Sequence, residues 1–148
     1  IRSALKWRAD VFKLILAPVD IAHADKLGNA LTCAADLAKM YGASLGYVGV
    51  TSSAPSSVAR TPEEYSRKLQ DFAKSHSDKH GIEITAHTEI AHDPTVEVDD
   101  ALMRAIDKTG ADLVVMASHV PGALEYIWPS NGGKLAEHAK CSVMLVRA

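Results

Sequence analysis

Residues 111–147 read ADLVVMASHVPGALEYIWPSNGGKLAEHAKCSVMLVR. Two short apolar runs, Leu113–Ala117 and Val143–Val146, flank a loop and one short helical pattern. Each run has the length and β-branched character of a strand buried on both faces. The loop carries the polar groups Ser118, His119, Ser130 and Asn131 and the pair Gly132-Gly133. A buried strand that ends in a polar loop, followed by a helix start built from small residues, is where an α/β protein holds an anionic ligand.

Working outward, the same alternation repeats. Val11–Val19 is apolar except for Lys13 and reads as the first strand, with Asp20 at its carboxyl end. Asp25 is placed to cap a helix over Lys26–Tyr41, on which Leu27, Leu31, Ala34, Ala38 and Tyr41 recur at helical spacing before Gly42. Ser44–Val50 is a second strand whose glycines, Gly46 and Gly49, mark weakness or close packing against a helix. Thr61, Pro62 and Glu64 form the start signal of a helix that runs to Gly81, with Tyr65, Leu69, Phe72 and His76 on one stripe. Ile82–Ile90 alternates, which predicts an edge strand with Glu83, Thr85, His87 and Glu89 on a wet face. Asp93-Pro94 opens a third helix carrying Val98, Ala101, Leu102, Ala105 and Ile106 inward and ending at Gly110. A fourth helix follows over roughly 130–139. The order β-α-β-α-β-α-β-α-β predicts a mainly parallel sheet, doubly wound, with helices on both faces.

Length and composition set limits. The 148 residues suit one domain with a single well-buried core, and 47% of them are hydrophobic. The apolar runs fall far short of the ~18 residues that span a membrane, and no signal-peptide pattern is visible. A net charge of -2 argues against nucleic acid as the main partner. Cys33 and Cys141 are too few for a disulfide framework and read as buried free thiols in a reducing cytoplasm. Residues 1–11 match no strand; they read as a leader, a tag remnant or a linker, with the domain at 12–148.

Most motifs for chemistry are missing. There is no GxxxxGK[ST] and no G-x-S-x-G, and the GxxG at Gly46 and Gly49 is no dinucleotide fingerprint. Ser118 and His119 are adjacent, but no third group orients a base toward a nucleophile. His76 and His80, four apart on a helix, are spaced to share a metal; no further ligand is evident, and His80 suits the helix C-terminus instead. Asp99 and Asp100 are neighbours that point apart and read as a solvated face. Asp20 stands at the rim where doubly wound sheets bind ligands, placed either to accept from a ribose hydroxyl or to satisfy turn amides. Ser130 as a cap leaves the amides of Asn131, Gly132 and Gly133 for phosphate oxygens or for nothing but the helix.

The stretches LILAPVD at 14–20, ADLVVMASH at 111–119 and YIWPSNGGKLAEHAKCSVMLVR at 126–147 resemble the universal stress protein family. The pattern ASH-x-P followed by Y-x-x-x-S-N looks like its small single-domain bacterial branch, some members of which accompany transporters. The resemblance implies a five-stranded parallel α/β sheet of the adenine nucleotide alpha hydrolase-like fold, with the first strand between the second and fourth. It implies a cytoplasmic regulatory protein, not an enzyme beyond weak ATP hydrolysis, that binds ATP, AMP or another adenine nucleotide, with magnesium only alongside the nucleotide. The binding positions so implied are Pro18, Val19, Asp20, Val50, Ala117, Ser118, His119, Val120, Ser130, Asn131 and Gly132, with no residue assigned to catalysis or to a metal.

The family's ATP-binding members carry G-x-x-G, nine residues, then G-[ST]. Here Ala117 and Val120 replace the two glycines, and, with one residue fewer before the final pair, Pro129-Ser130 stands where Gly-Ser is expected. Proline has no N–H to donate, so the phosphate cradle is only half kept. Family members dimerise through the fifth strand, which implies a homodimer through Ser142 to Val146 with the two edges antiparallel. The rival reading is a non-nucleotide dimeric interaction module, chaperone-like or associated with a transporter or a signalling partner.

Overall fold

The computed structural model describes residues 11–94, 96–118 and 131–147, and for 131–134 the backbone alone. Five strands form one sheet: β1 Leu14–Pro18, β2 Ser44–Thr51, β3 Ile84–Ile90, β4 Leu113–Ala117 and β5 Ser142–Val146. The order is β3-β2-β1-β4-β5, and every pairing is parallel. The first strand therefore lies between the second and the fourth. Four α-helices connect them: α1 Gly28–Tyr41, α2 Pro62–His80, α3 Val98–Thr109 and α4 Asn131–His138.

The strands run apolar because both faces are covered. On one face Ile15, Ala17, Val19, Leu45, Tyr47, Leu113, Val115 and Ala117 pack under α1 and α2. The alanines Ala30, Ala34, Ala35 and Ala38 let α1 lie close to the sheet. On the other face Leu16, Val48, Val114 and Met116 meet Val98, Leu102, Ala105 and Ile106 of α3 and Leu135 of α4. Both glycines of β2 are close-packing positions. A Cβ on Gly46 would stand 2.9 Å from the His87 ring, and one on Gly49 would stand 2.4 Å from the Tyr65 hydroxyl.

Helix ends follow the sequence signals where side chains supply them. Thr61 Oγ1 accepts from the Glu64 amide at 3.1 Å, while Glu64 Oε2 accepts from the Arg60 amide at 3.0 Å, one residue before the cap. Gly42, Gly81 and Gly110 close α1, α2 and α3 in the left-handed region, with φ of 65°, 70° and 73°.

Four expectations need correction. Asp25 does not cap a helix from Lys26: a 3-10 turn occupies Ile21–Lys26, capped by Asp20, and α1 starts at Gly28 after Leu27, which makes no side-chain cap. The third helix starts at Val98, not at Asp93, because the Asp93 carbonyl accepts the amides of Val96 and Glu97 and closes a turn there. The alternation of β3 does not sort its faces. Glu89 is only 5% exposed, whereas Ile90 is 53% exposed. Lys108 and Arg104 reach from α3 to Glu89 at 3.0 and 3.5 Å, so the carboxylate is buried under paired cations. The cysteines are free but only half-buried, and the Cys33 thiol donates to the Met144 sulfur at 3.7 Å.

Close packing at β2 makes a direct prediction. Gly49→Ala should destabilise the fold by about 1–3 kcal/mol, because the new methyl forces the buried Tyr65 ring aside. Adding Tyr65→Phe removes the nearest atom and should recover part of that loss in urea unfolding. Simple additivity of the two changes would refute the contact.

Candidate functional site

The sheet opens at the carboxyl end of β1. Strand β1 pairs with β2 as far as Pro18 against Val48, and the Val19 amide extends that ladder to the Val48 carbonyl at 2.7 Å. With β4 it pairs only through Ile15 against Leu113 and Leu16 against Val114. Strand β4 instead keeps company with β5 to Ala117 against Val146, and the Ser118 amide donates to the Val146 carbonyl at 2.8 Å. Beyond Leu16, then, β1 keeps its register with β2 and β4 keeps its register with β5, and the β1–β4 ladder ends there. Continued one for one, the β1–β4 register sets Val19 opposite Ala117 and Asp20 opposite Ser118. This is the switch point at which open parallel sheets accept ligands.

Asp20 stands at one lip, 24% exposed in its side chain. Its Oδ1 accepts from the Ala22 amide at 3.1 Å, and its Oδ2 lies 2.9 Å from His23 Nδ1. Tyr65 of α2 lies near enough to feel this charge: burial pushes its hydroxyl pKa upward, and Asp20 adds to the push. At the other lip the Ser118 hydroxyl oxygen is buried and has no hydrogen-bond partner among the described residues. Pro18 is buried, and Val50 is half-buried near the end of β2, opposite Glu89.

The structure thus brings Pro18, Val19, Asp20, Ala117 and Ser118 to the carboxyl ends of the neighbouring strands β1 and β4, with Val50 on the adjoining β2. Asn131 and Gly132 form the first turn of α4, which packs on the α3 face through Leu135. His119, Val120 and Ser130 lie outside the described residues, as do Trp128 and Pro129. Sequence reasoning missed His23 and Tyr65. The signal for His23 was its spacing, three residues after Asp20 in a turn; Tyr65 looked like an ordinary core position.

The histidine pair on α2 is half-buried beside the core residues Tyr47 and Phe72. His76 Nδ1 lies 2.9 Å from the hydroxyl of fully buried Tyr47, and the His76 ring stacks on Phe72 with centroids 4.2 Å apart. The His80 ring is 5.7 Å from His76. Burial first, then the charges on His80 and Lys79, lower the pKa of His76. Burial likewise leads the lowering at His80 and at His87. No group of three or more His, Cys, Asp or Glu side chains suited to a metal occurs among the described residues. No helix among them is long and apolar enough to cross a membrane.

Comparison with known proteins matches this geometry. A family model described as the universal stress protein family matches residues 12–147. A universal stress protein family member from Burkholderia pseudomallei superposes with a TM-score of 0.68 at 24% identity, covering 93% of this chain and 98% of its own. A universal stress protein from Archaeoglobus fulgidus in complex with dAMP gives 0.64 at 19%, covering 91% and 98%. Another universal stress protein, in complex with cAMP, gives 0.63 at 18%, covering 92% and 97%. At these identities the likeness establishes a shared fold.

The buried imidazoles set an expected pH response. The unfolded chain protonates His76, His80 and His87 near the ordinary 6.5, and the folded chain does so only at lower pH. Between those values the unfolded state binds more protons. Stability should therefore be intact above that range, fall as pH drops through it, and level off below the folded value. Urea midpoints between about pH 7.5 and about pH 5 should show the fall, with a shallower slope in His76→Gln. Parallel slopes for the two proteins would remove His76 from the account.

Proposed function

The chain belongs to the universal stress protein family, and on that premise we propose that it binds an adenine nucleotide in the crevice between β1 and β4. The parting of those two strands, with Asp20 and Ser118 at its lips, carries the reading. Two structures of the same fold hold cAMP and dAMP, which favours the adenine class. In this reading Asp20 accepts from a ribose hydroxyl or the exocyclic amine, and Val50 lies against the base. Pro18 and Val19 form the floor with Ala117, and Ser118 and His119 line the opposite lip. Ser130 and the amides of Asn131 and Gly132 receive phosphate oxygens at the start of α4.

Ala117, Val120 and Pro129 stand at the positions where the family's binding motif carries glycine. The pocket is therefore degenerate on its phosphate side, and AMP suits it better than ATP. No residue is assigned a catalytic role. The protein acts in the cytoplasm as a regulator whose output is a change in dimer or partner contacts, and magnesium enters only with a nucleotide.

The dimer forms through β5. That strand is the edge of the sheet, and its Met144 and Leu145 are 38% and 47% exposed. An apolar edge of this kind pairs readily with a second copy. The same surface supports the rival reading, a dimeric interaction module that binds no nucleotide.

Calorimetric titration separates the two. AMP, ADP, ATP and cAMP should give heat, with AMP binding at a Kd on the order of 10–100 µM and raising thermal stability by about 2.7 kcal/mol at about 100 times its Kd. Pro129→Gly restores an N–H donor and should tighten ATP by about fivefold. Silence from all four nucleotides with both proteins leaves the interaction module standing. Separately, sedimentation should show a dimer for the native chain and a monomer for Leu145→Asp. A monomeric native chain would remove β5 as the interface.

A further inference from the structure

We propose that the Cys33 thiol and the Met144 thioether together form a binding site for a soft monovalent metal ion, Cu(I) foremost. The site lies between α1 and β5 and is independent of the nucleotide reading.

The two sulfurs come from positions 111 residues apart, and the fold sets them 3.7 Å from each other. A metal–sulfur bond is about 2.3 Å long, so two sulfurs held trigonally by one ion stand about 4 Å apart. The observed spacing is close to what a shared ion needs, and the unbranched methionine side chain supplies the small adjustment. The thiol now donates its hydrogen to the thioether along this line. Binding replaces that hydrogen: the S–H bond breaks, its electron pair forms the bond from Cys33 Sγ to copper, and the proton leaves to solvent. Met144 Sδ adds a lone pair and changes no charge. Copper enters as Cu(I) and stays so, and no electron is transferred.

The pair is reachable from solvent. Cys33 is half-buried, Met144 is 38% exposed, and Cys33 opens on a groove of about 680 Å³ between α1 and the end of β5. Water from that groove fills the third position on the ion. Asp36 and Arg147 both line the groove, so their formal charges cancel and softness does the selecting. Zinc demands four ligands, and no group of three or more His, Cys, Asp or Glu side chains suited to a metal occurs among the described residues. A thiolate beside a thioether selects Cu(I) instead. The other sulfurs of the chain are out of reach. Met40 lines the same groove, but it follows Cys33 on α1 by two helical turns, about 10 Å along the axis. Cys33 packs against the α1 and α2 face of the sheet, whereas Met103, Met116 and Cys141 pack against the opposite face.

Anaerobic titration of the full chain with Cu(I) against a competing chromophoric chelator tests the site. The native protein should take up one Cu(I), and Met144→Leu should bind it at least about tenfold more weakly. Cys33→Ser should lose the site, with Cys33→Ala used if the first variant does not fold. Met40→Leu and Cys141→Ser should stay within about twofold of the native protein. Thermal melts establish that each variant is folded. X-ray absorption at the copper edge should find two sulfur neighbours in the native protein and one in Met144→Leu. Native affinity in Met144→Leu overturns the proposal, because the cysteine would then bind alone. Weakening of equal size by Met40→Leu or Cys141→Ser overturns it as well, since the ion would sit elsewhere. Tighter binding of Zn²⁺ than of Cu(I) overturns the choice of a soft ion. A native chain that takes up no Cu(I) removes the site and leaves the nucleotide reading as it was.

Discussion

Everything in this molecule is arranged around a strand that has no wet side. Ile15, Leu16, Ala17 and Val19 are at most 1% exposed, and β1 is flanked by β2 and β4 and roofed by helices on both faces. No charge is tolerable along that strand without a partner. Asp20 is the first residue of β1's path that can carry one, and it does so only because the strand has ended. Charge on the central strand is thus confined to its two ends, and the carboxyl rim carries Asp20.

The two ends of the β1–β4 pair are treated in opposite ways. At the amino end the Asp112 carboxylate accepts the amides of Lys13 and Leu14 at 2.9 and 3.1 Å, and its own amide donates to the Leu14 carbonyl at 3.0 Å. Its carbonyl in turn accepts from the Ser142 amide at 3.2 Å, which ties β5 into the same knot. At the carboxyl end no such clamp joins β1 to β4 among the described residues, and each strand follows its other neighbour. A sheet pinned at one end and parted at the other has its opening fixed in position by the backbone alone. The side chains at the lips then decide what enters.

Much of this could be read from the chain because burial on two faces leaves a plain signature. The runs Leu113–Ala117 and Ser142–Val146 appear as strands with the boundaries expected of them, and the glycines at 42, 81 and 110 end their helices. The Thr61 cap declared itself because a side chain does the work. What stayed hidden was set by tertiary contact. Alternation marked Glu89 as solvated, and nothing local announces that Lys108 and Arg104 come from nineteen and fifteen residues downstream to cover it. The 3-10 turn escaped notice because Asp20 caps it from the strand end, where a ligand role had drawn attention. The role of Asp112 has no local signal because its partners are the amides of a strand about a hundred positions earlier.

The division of the proposed pocket between sheet and loop explains how a ligand site can drift while the fold does not. Pro18 belongs to β1 and Val50 to β2, Val19 and Asp20 follow β1 directly, and substitution at the buried Pro18 or Val19 disturbs packing before it disturbs binding. Ala117 is the last residue of β4, and the segment that follows it to Asn131 is a connection between elements. Connections accept changes that strands refuse. Departures from the glycine pattern fall on that side, at Ala117, Val120 and Pro129. On the proposed reading they weaken backbone donation toward phosphate and leave the acceptor at Asp20 untouched. Selectivity should therefore move toward the nucleoside end of the ligand, where the strands hold the geometry, and away from the phosphate end, where the loop does.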